Sequence, residues 1–328
     1  MNMPEINYCP GTLKEGNHTY SATALKRIFF GYKVSHILPY ESPASNEVTD
    51  ALFEENRMGM SISGVQEKFS VLLDKNKLRL THEGEQGLYI LKPKPNAGKN
   101  PEYMPANEHL TMQIARQVFT IETAENALIF FSNGEPAYIT KRFDVKDDRT
   151  KKAQEDFASL ANRTPYTHGE DYKYQGSYFE LFQLLKKYVP AYLIEAPKLF
   201  KLILFNYLFS NGDAHFKNFS LIQTVLNDFK LSPAYDLLNS RLHIADRDFA
   251  LEEGLLPLSL SKGTMREQFF KLGELAGINS SFIDTIFLEM TSNNDEIFRL
   301  INNSYLSDRL KRNYHQAYLT RLKKIKKD

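Results

Sequence analysis

Residues 196–213, APKLFKLILFNYLFSNGD, place apolar side chains on nearly every side of a helix. A helix with no face to give to water has to run through the middle of a domain, with other elements laid around it. The spacing predicts that it stops at Asn211-Gly212, a pair suited to a helix C-cap. The chain then enters the loop 211–222, NGDAHFKNFSLI. Ligand residues are commonly carried on a loop at the end of a rigid buried element. The rest of the chain is therefore read outward from this helix.

Upstream, the texture is different. KFSVLL, KLRLTH and LYILK are short β-type runs separated by polar turns. NALIFF and AYITKRFD, joined through SNGEP, read as a hairpin turning at Asn133-Gly134. PANEHLTMQIARQVF, 105–119, spaces Leu110, Ile114, Ala115 and Val118 as one helical face, and Pro105 and Asn107 suit its start. After Asp144 a charged stretch, VKDDRTKK, gives way to helices at 177–189 and 196–213, and from about 264 the tail is mostly helical. The expected organisation is a strand-rich lobe, 1–143, and a helical lobe, 144–328.

Composition limits the function classes. A net charge of +1 gives no global field to draw nucleic acid or a membrane surface. The single cysteine, Cys9, excludes a disulfide framework and a thiolate zinc cluster. The N-terminal residues contain no apolar signal segment, and no apolar run reaches the roughly 18 residues of a spanning helix. A cytoplasmic protein is expected.

Three groups of residues could carry chemistry. Asp213, His215, Lys217 and Asn218 lie in the loop after the buried helix, and Asp236 follows in SPAYDLL. Two carboxylates and an amide suit phosphoryl transfer, with one Asp at the attacking hydroxyl and an Asn and a second Asp on Mg²⁺. Asp213 and Asn218 are five apart, as in the protein-kinase catalytic loop, although the preceding His-Arg is absent. They would serve equally as turn caps. A zinc site finds no second His or Cys at ligand spacing. Lys92 ends an apolar strand and Glu108 follows on the helix, the order of a phosphate-binding Lys and its helix Glu; an exposed strand end beside a solvated helix residue is the plainer account. Lys141, Arg142 and Phe143 end the hairpin where the texture changes. Gln154 stands in QEDFASL, which could approach a ribose or simply open a helix.

In this order, SGVQEKFSVLL, YILKP, KRFD, QEDF and NGDAHFKNFSL resemble the HipA family of bacterial Ser/Thr kinase toxins. The resemblance implies an α/β, two-lobed protein-kinase-like fold that uses ATP and Mg²⁺. Asp213 would be the catalytic base, and Asn218 and Asp236 would hold Mg²⁺. Lys92, paired with Glu108, would contact the phosphates. Ser63, Gly64, Val65, Gln66 and Lys68 would form the phosphate-side loop. Lys141, Arg142 and Phe143 would line adenine, mostly through backbone, and Gln154 and His215 would sit near the ribose or triphosphate.

In this family a serine just before that loop is autophosphorylated. The phosphate adds close to two negative charges where ATP should lie, which would expel the loop and switch the kinase off. The SIS of this chain offers both Ser61 and Ser63, as in the short HipT branch. Residues 1–58 do not read as the N-terminal subdomain of full-length HipA proteins. In three-gene HipBST-type systems that part is a separate small antitoxin, beside a helix-turn-helix DNA-binding partner. CPGTL looks like the start of a Cys-rich knuckle of some relatives, but without a second Cys no metal is expected there. The implied target is an aminoacyl-tRNA synthetase, glutamyl or tryptophanyl. Two other readings stand beside this one: a catalytically silent kinase fold acting as a binding module in a repressor complex, and a small-molecule kinase. The basic tail, RLKKIKKD, reads as a solvated helix end.

Overall fold

The computed structural model describes residues 5–43, 53, 66–245 and 247–326. The chain divides into two compact units, each discontinuous in sequence. One takes residues up to Gln113, Ala124–Lys151 and Arg299–Lys311; the other takes Ile114–Thr123, Lys152–Phe298 and Arg312 onward.

The alternating runs of the first unit form β1 (Phe69–Asp74), β2 (Lys77–Leu80), β3 (Tyr89–Pro93), β4 (Asn126–Phe130) and β5 (Pro136–Lys141). They make one antiparallel sheet in the order β2-β1-β3-β5-β4. Because side chains alternate across a strand, Phe69, Val71, Tyr89, Leu91, Ala127, Ile129, Ala137 and Ile139 share one face. That face forms a core with Tyr20, Ala24, Ile28 and Phe29. The last three belong to α1 (Ala22–Phe29), whose N-cap, Ser21, accepts from the Ala24 N–H. Tyr89 donates to the Ile28 carbonyl at 2.9 Å and so ties sheet to helix.

The opposite face carries Leu72, Leu128, Tyr138 and Lys92, all buried as well. The sheet is thus covered on both sides, which is what makes Lys92 inaccessible. The hairpin β4–β5 turns at Asn133-Gly134 as the sequence indicates, with Gly134 at φ 85°, a conformation that glycine adopts without steric cost.

The helix predicted over 105–119 is α2 (Met104–Gln117), preceded by a 3₁₀ turn at Pro101–Tyr103. In the second unit, β6 (Gln154–Asp156) pairs with β7 (Ser220–Gln223), and β7 with β8 (Phe229–Leu231). Two short helices follow β6, α3 (Phe157–Leu160) and α4 (Pro165–His168), and then α5 (Tyr178–Tyr188).

The buried helix is α6 (Tyr192–Leu208). It starts earlier than the sequence suggests, with Pro197 inside it, where the proline cannot donate to the Leu193 carbonyl. It also ends earlier. Phe209 caps it, Ser210 takes the left-handed conformation at φ 54°, and the Asn211 N–H returns to the Asn206 carbonyl at 2.8 Å. The C-cap expected at Asn211-Gly212 is corrected accordingly. The turn is pinned from outside: Ser240 donates through Oγ to the Ser210 carbonyl at 2.9 Å and accepts the Gly212 N–H at 2.8 Å.

Four helices finish the chain: α7 (Met265–Leu275), α8 (Ser280–Ser292), α9 (Asn294–Asn302) and α10 (Asp308–Ile325). Phe200 of α6 packs edge-on against Phe269 of α7 and Phe287 of α8. Gly273 allows α7 and α8 to approach, since a Cβ there would lie 2.5 Å from Ile283 Cδ1. Tyr318 of α10 stacks on Phe209 at 4.9 Å, and the buried Arg321 lies over Tyr207 and pairs with Asp248. The basic end of α10 is thus partly committed, with Lys324 also bridging to Asp248 at 3.2 Å. Among the described residues no helix is long and apolar enough to cross a membrane.

Candidate active site

In the first unit Lys92 points off β3 toward α2, and its Nζ lies 2.8 Å from Glu108 Oε1. The side chains are 6 % and 4 % exposed, which rules out the exposed strand end and solvated helix residue considered from sequence. The ammonium also lies 5.3 Å from the Tyr138 ring centroid. Burying both charges costs several kcal/mol each in desolvation, so the pair is weak evidence for stability and better evidence for a use.

Beside Glu108 on α2, His109 bonds through Nδ1 to Asn126 Oδ1 at 3.0 Å, and Gln113 donates to the same oxygen. Among the described residues His109 Nε2 has no hydrogen-bond partner. Burial drives the His109 pKa down from 6.5 to about 4, with the nearby Arg27 charge acting in the same direction. The folded protein therefore keeps this ring neutral at a pH where the unfolded chain protonates it. Stability is full above pH 6.5 and falls as the pH drops toward 4. From this residue alone, unfolding at pH 5 is expected to be about 2 kcal/mol easier than at pH 7.5. Denaturant midpoints of the wild type and His109→Gln across that range check it; identical slopes would refute the assignment.

Gln66 and Lys68 are half-buried just before β1, and Gln66 Nε2 donates to the Pro93 carbonyl at 2.8 Å. Ser61, Ser63, Gly64 and Val65 lie outside the described residues. At the end of β5, the Lys141 and Arg142 N–H groups are taken by the carbonyls of Glu125 and Leu88. The Lys141 ammonium lies over the Phe30 ring, and Arg142 forms a two-pronged bond with Asp144. Backbone recognition of a base by these two residues would therefore rest on their carbonyls. Phe143 is half-buried beside them.

In the second unit the short turn after α6 brings the loop residues together. Asp213 Oδ1 accepts from Tyr174 Oη at 2.8 Å. His215 is buried, its ring edge-on to Tyr174 at 5.1 Å, and burial pushes its pKa down to about 4. Asn218 closes a 3₁₀ turn: its Oδ1 accepts the His215 N–H at 3.1 Å, and its Nδ2 lies 3.4 Å from Asp236 Oδ2. Asp236 has φ 54°, and its carbonyl accepts from Asn211 Nδ2, which ties it back to the end of α6. Asn218 and Asp236, 18 positions apart in the chain, are thus side-chain neighbours.

Lys217 bridges to Asp156 at 2.8 Å, and that partner outweighs the lowering by burial to hold the Lys217 pKa up. Asp156 also caps α3, accepting the Ser159 N–H, so QEDF does open a helix. Gln154 is exposed and donates to Ser220 Oγ at 3.0 Å.

The donor set fits Mg²⁺ by its chemistry. The Asp236 carboxylate is a hard oxygen donor, and the Asn218 amide, whose Nδ2 faces Asp236 and whose Oδ1 accepts the His215 N–H, would offer the remaining lone pair of Oδ1; Mg²⁺ characteristically takes one or two such groups and completes its shell with phosphate oxygens and water. Among the described residues no group of three His, Cys, Asp or Glu side chains could hold a metal ion.

The sequence reading missed Tyr174, Tyr178 and Ser240. Tyr178 donates to the Ala214 carbonyl at 2.7 Å and so fixes the loop from below. The signal available was the tyrosine-rich run EDYKYQGSYF before α5. Its residues have no spacing relation to Asp213, and only the fold brings them to it.

The family model described as the HipA-like C-terminal domain matches residues 60–297. The chain belongs to this family. A Haemophilus influenzae protein named "Putative kinase" is 26 % identical over 324 residues, covering 92 % of each chain. A Sinorhizobium fredii protein named "Putative kinase Y4dM" is 31 % identical over 225 residues, 64 % of this chain and 52 % of that one, so the chain spans about half of that relative's length.

Among solved structures, Shewanella oneidensis HipA, in a toxin–antitoxin complex with HipB and operator DNA, superposes with a TM-score of 0.62 at 18 % identity. That match covers 87 % of this chain and 71 % of the other. The Helicobacter pylori proinflammatory kinase CtkA gives 0.51 at 13 % identity, over 79 % and 90 %. The likeness is one of fold: α/β and kinase-like, with a strand-rich unit and a helical one, as the sequence indicates.

Proposed function

We propose that this HipA-family protein is an ATP- and Mg²⁺-dependent Ser/Thr protein kinase of the short HipT-like branch, acting as the toxin of a toxin–antitoxin module. The observation that carries the reading is the buried Lys92–Glu108 pair. Two desolvated charges held between a strand and a helix are the device by which a kinase fixes a lysine for nucleotide phosphates. Asp213, Asn218 and Asp236, in the second unit, supply the complementary chemistry.

In this mechanism Asp213 accepts the proton of the attacking Ser or Thr hydroxyl and orients it. Lys92 holds phosphate oxygens, and Glu108 holds Lys92. Asn218 and Asp236 would bind Mg²⁺, which when bound neutralises charge on the transferring phosphoryl group. His215, neutral at physiological pH, can accept or donate a hydrogen bond near the triphosphate without adding charge. Ser61 and Ser63 would take the γ-phosphoryl group of ATP in a reaction catalysed by the protein itself, with ADP leaving, and the added charge would expel the loop from the ATP site. The further substrate would be an aminoacyl-tRNA synthetase. The partners would be a small antitoxin and a helix-turn-helix protein through which DNA is engaged, the latter supported by the presence of HipB and operator DNA beside the HipA neighbour.

Phosphatase-treated protein incubated with ATP and Mg²⁺ is expected to gain one or two phosphates by intact mass. Ser61→Ala with Ser63→Ala should gain none and should bind ATP more tightly than the autophosphorylated wild type. A treated wild type that gains no phosphate, on itself or on a synthetase panel, would leave the silent binding module as the better reading.

A further inference from the structure

Among the described residues, Tyr174 is the side chain that hydrogen-bonds the Asp213 carboxylate, and nothing in the kinase reading assigns it a role. Its backbone is fixed on both sides. The Lys173 carbonyl accepts the Phe216 N–H at 3.1 Å, the Tyr174 carbonyl accepts the Glu252 N–H at 2.9 Å, and the Gly176 carbonyl accepts the Glu253 N–H at 3.1 Å. Its ring is wedged edge-on to His215, and the Lys173 ammonium lies 4.9 Å from the ring centroid. The phenol is held in place, and it donates to a carboxylate oxygen at 2.8 Å, an ordinary O–H⋯O distance. It occupies one oxygen of a carboxylate that has two, which leaves Oδ2 for another hydroxyl.

We infer that Tyr174 is a positioning residue, which clamps Oδ1 of Asp213 so that Oδ2 faces the substrate hydroxyl. This inference rests on the reading of Asp213 as the base. The arrangement explains why the loop 169–176 is anchored to both the 213–218 loop and the 252–253 segment: the clamp has to be rigid to be useful. It also uses the burial of the phenol, since burial and the Asp213 charge both raise the Tyr174 pKa and keep the donor proton in place.

The test is steady-state phosphorylation by Tyr174→Phe, with Tyr166→Phe as control, because Tyr166 is fully exposed. Loss of a hydrogen bond to a charged group is expected to lower kcat about 10- to 100-fold. KM for ATP, nucleotide affinity and the thermal midpoint should stay near wild type, because the ring and its packing remain. Placing p-aminophenylalanine at 174 keeps an N–H donor at the same point and should restore most of the rate.

Unchanged kcat in Tyr174→Phe, in a wild type that does transfer phosphate, overturns the clamp and leaves the kinase reading standing. A raised kcat also overturns it, marking the phenol as a plug in the place of the acceptor hydroxyl. A rate lost together with the thermal midpoint, and not restored by the amino analogue, overturns it in favour of a purely structural residue. A wild type that transfers no phosphate sinks the clamp and the kinase reading together.

Discussion

Replacing Lys92 by alanine is expected to cost about 3–5 kcal/mol of folding stability, the loss that follows when one partner of a buried ion pair is removed. The carboxylate of Glu108 is 4 % exposed, so it cannot recover its hydration when the ammonium is gone. Taking up a proton or moving α2 away from the sheet would relieve the buried charge. The double substitution Lys92→Met with Glu108→Met removes both charges, and apolar side chains of similar volume can replace such a pair at little cost or with a gain. The stability of the double variant should therefore approach that of the wild type. Phosphate transfer should be lost in both, because neither carries a cation for the phosphates. Denaturant midpoints and phosphate incorporation, measured on the same preparations, separate the two effects. An active double variant would remove Lys92 from the chemistry, and a fully stable Lys92→Ala would show that Glu108 regains its hydration without the ammonium.

Asp213→Asn is expected to reduce phosphoryl transfer by about 10²- to 10⁴-fold, the usual contribution of a positioned general base. The substitution is nearly isosteric, and the amide oxygen can still accept from Tyr174 Oη, so the loop should hold its shape. ATP affinity, read by fluorescence of a nucleotide analogue, should change little, which separates chemistry from binding. Activity within about tenfold of wild type would exclude Asp213 as the base and return it to the turn-cap role that its spacing also allows.

How much of this was legible beforehand varies by element. The five strands could be read because each is a short run whose alternation or apolar density matches a half-buried or fully buried strand. The hairpin could be read from Asn133-Gly134, where the dipeptide itself supplies the positive φ. The end of α6 could not. Asn211-Gly212 looks like a cap by composition, yet the left-handed residue is Ser210, since a hydroxyl from Ser240, 30 positions on, accounts for the backbone groups at that turn. The Lys92–Glu108 contact was legible as a pairing but not as a burial. Its desolvation depends on the second face of the sheet being covered, where Leu72, Leu128 and Tyr138 are buried beside Lys92.

The sequence by itself determined the order of elements, the presence of a buried central helix, and the residue types fit for phosphoryl transfer. Periodicity and short motifs are local properties, and local physics is enough to read them. Only the tertiary structure decided which of those residues touch. Asn218 reaches Asp236 because a short 3₁₀ turn and a positive-φ backbone bring two separate loops to 3.4 Å. Tyr174 reaches Asp213 across 39 positions of chain because backbone hydrogen bonds on either side hold its loop there. Contacts of that range depend on the closure of the whole core, and no window of sequence contains them.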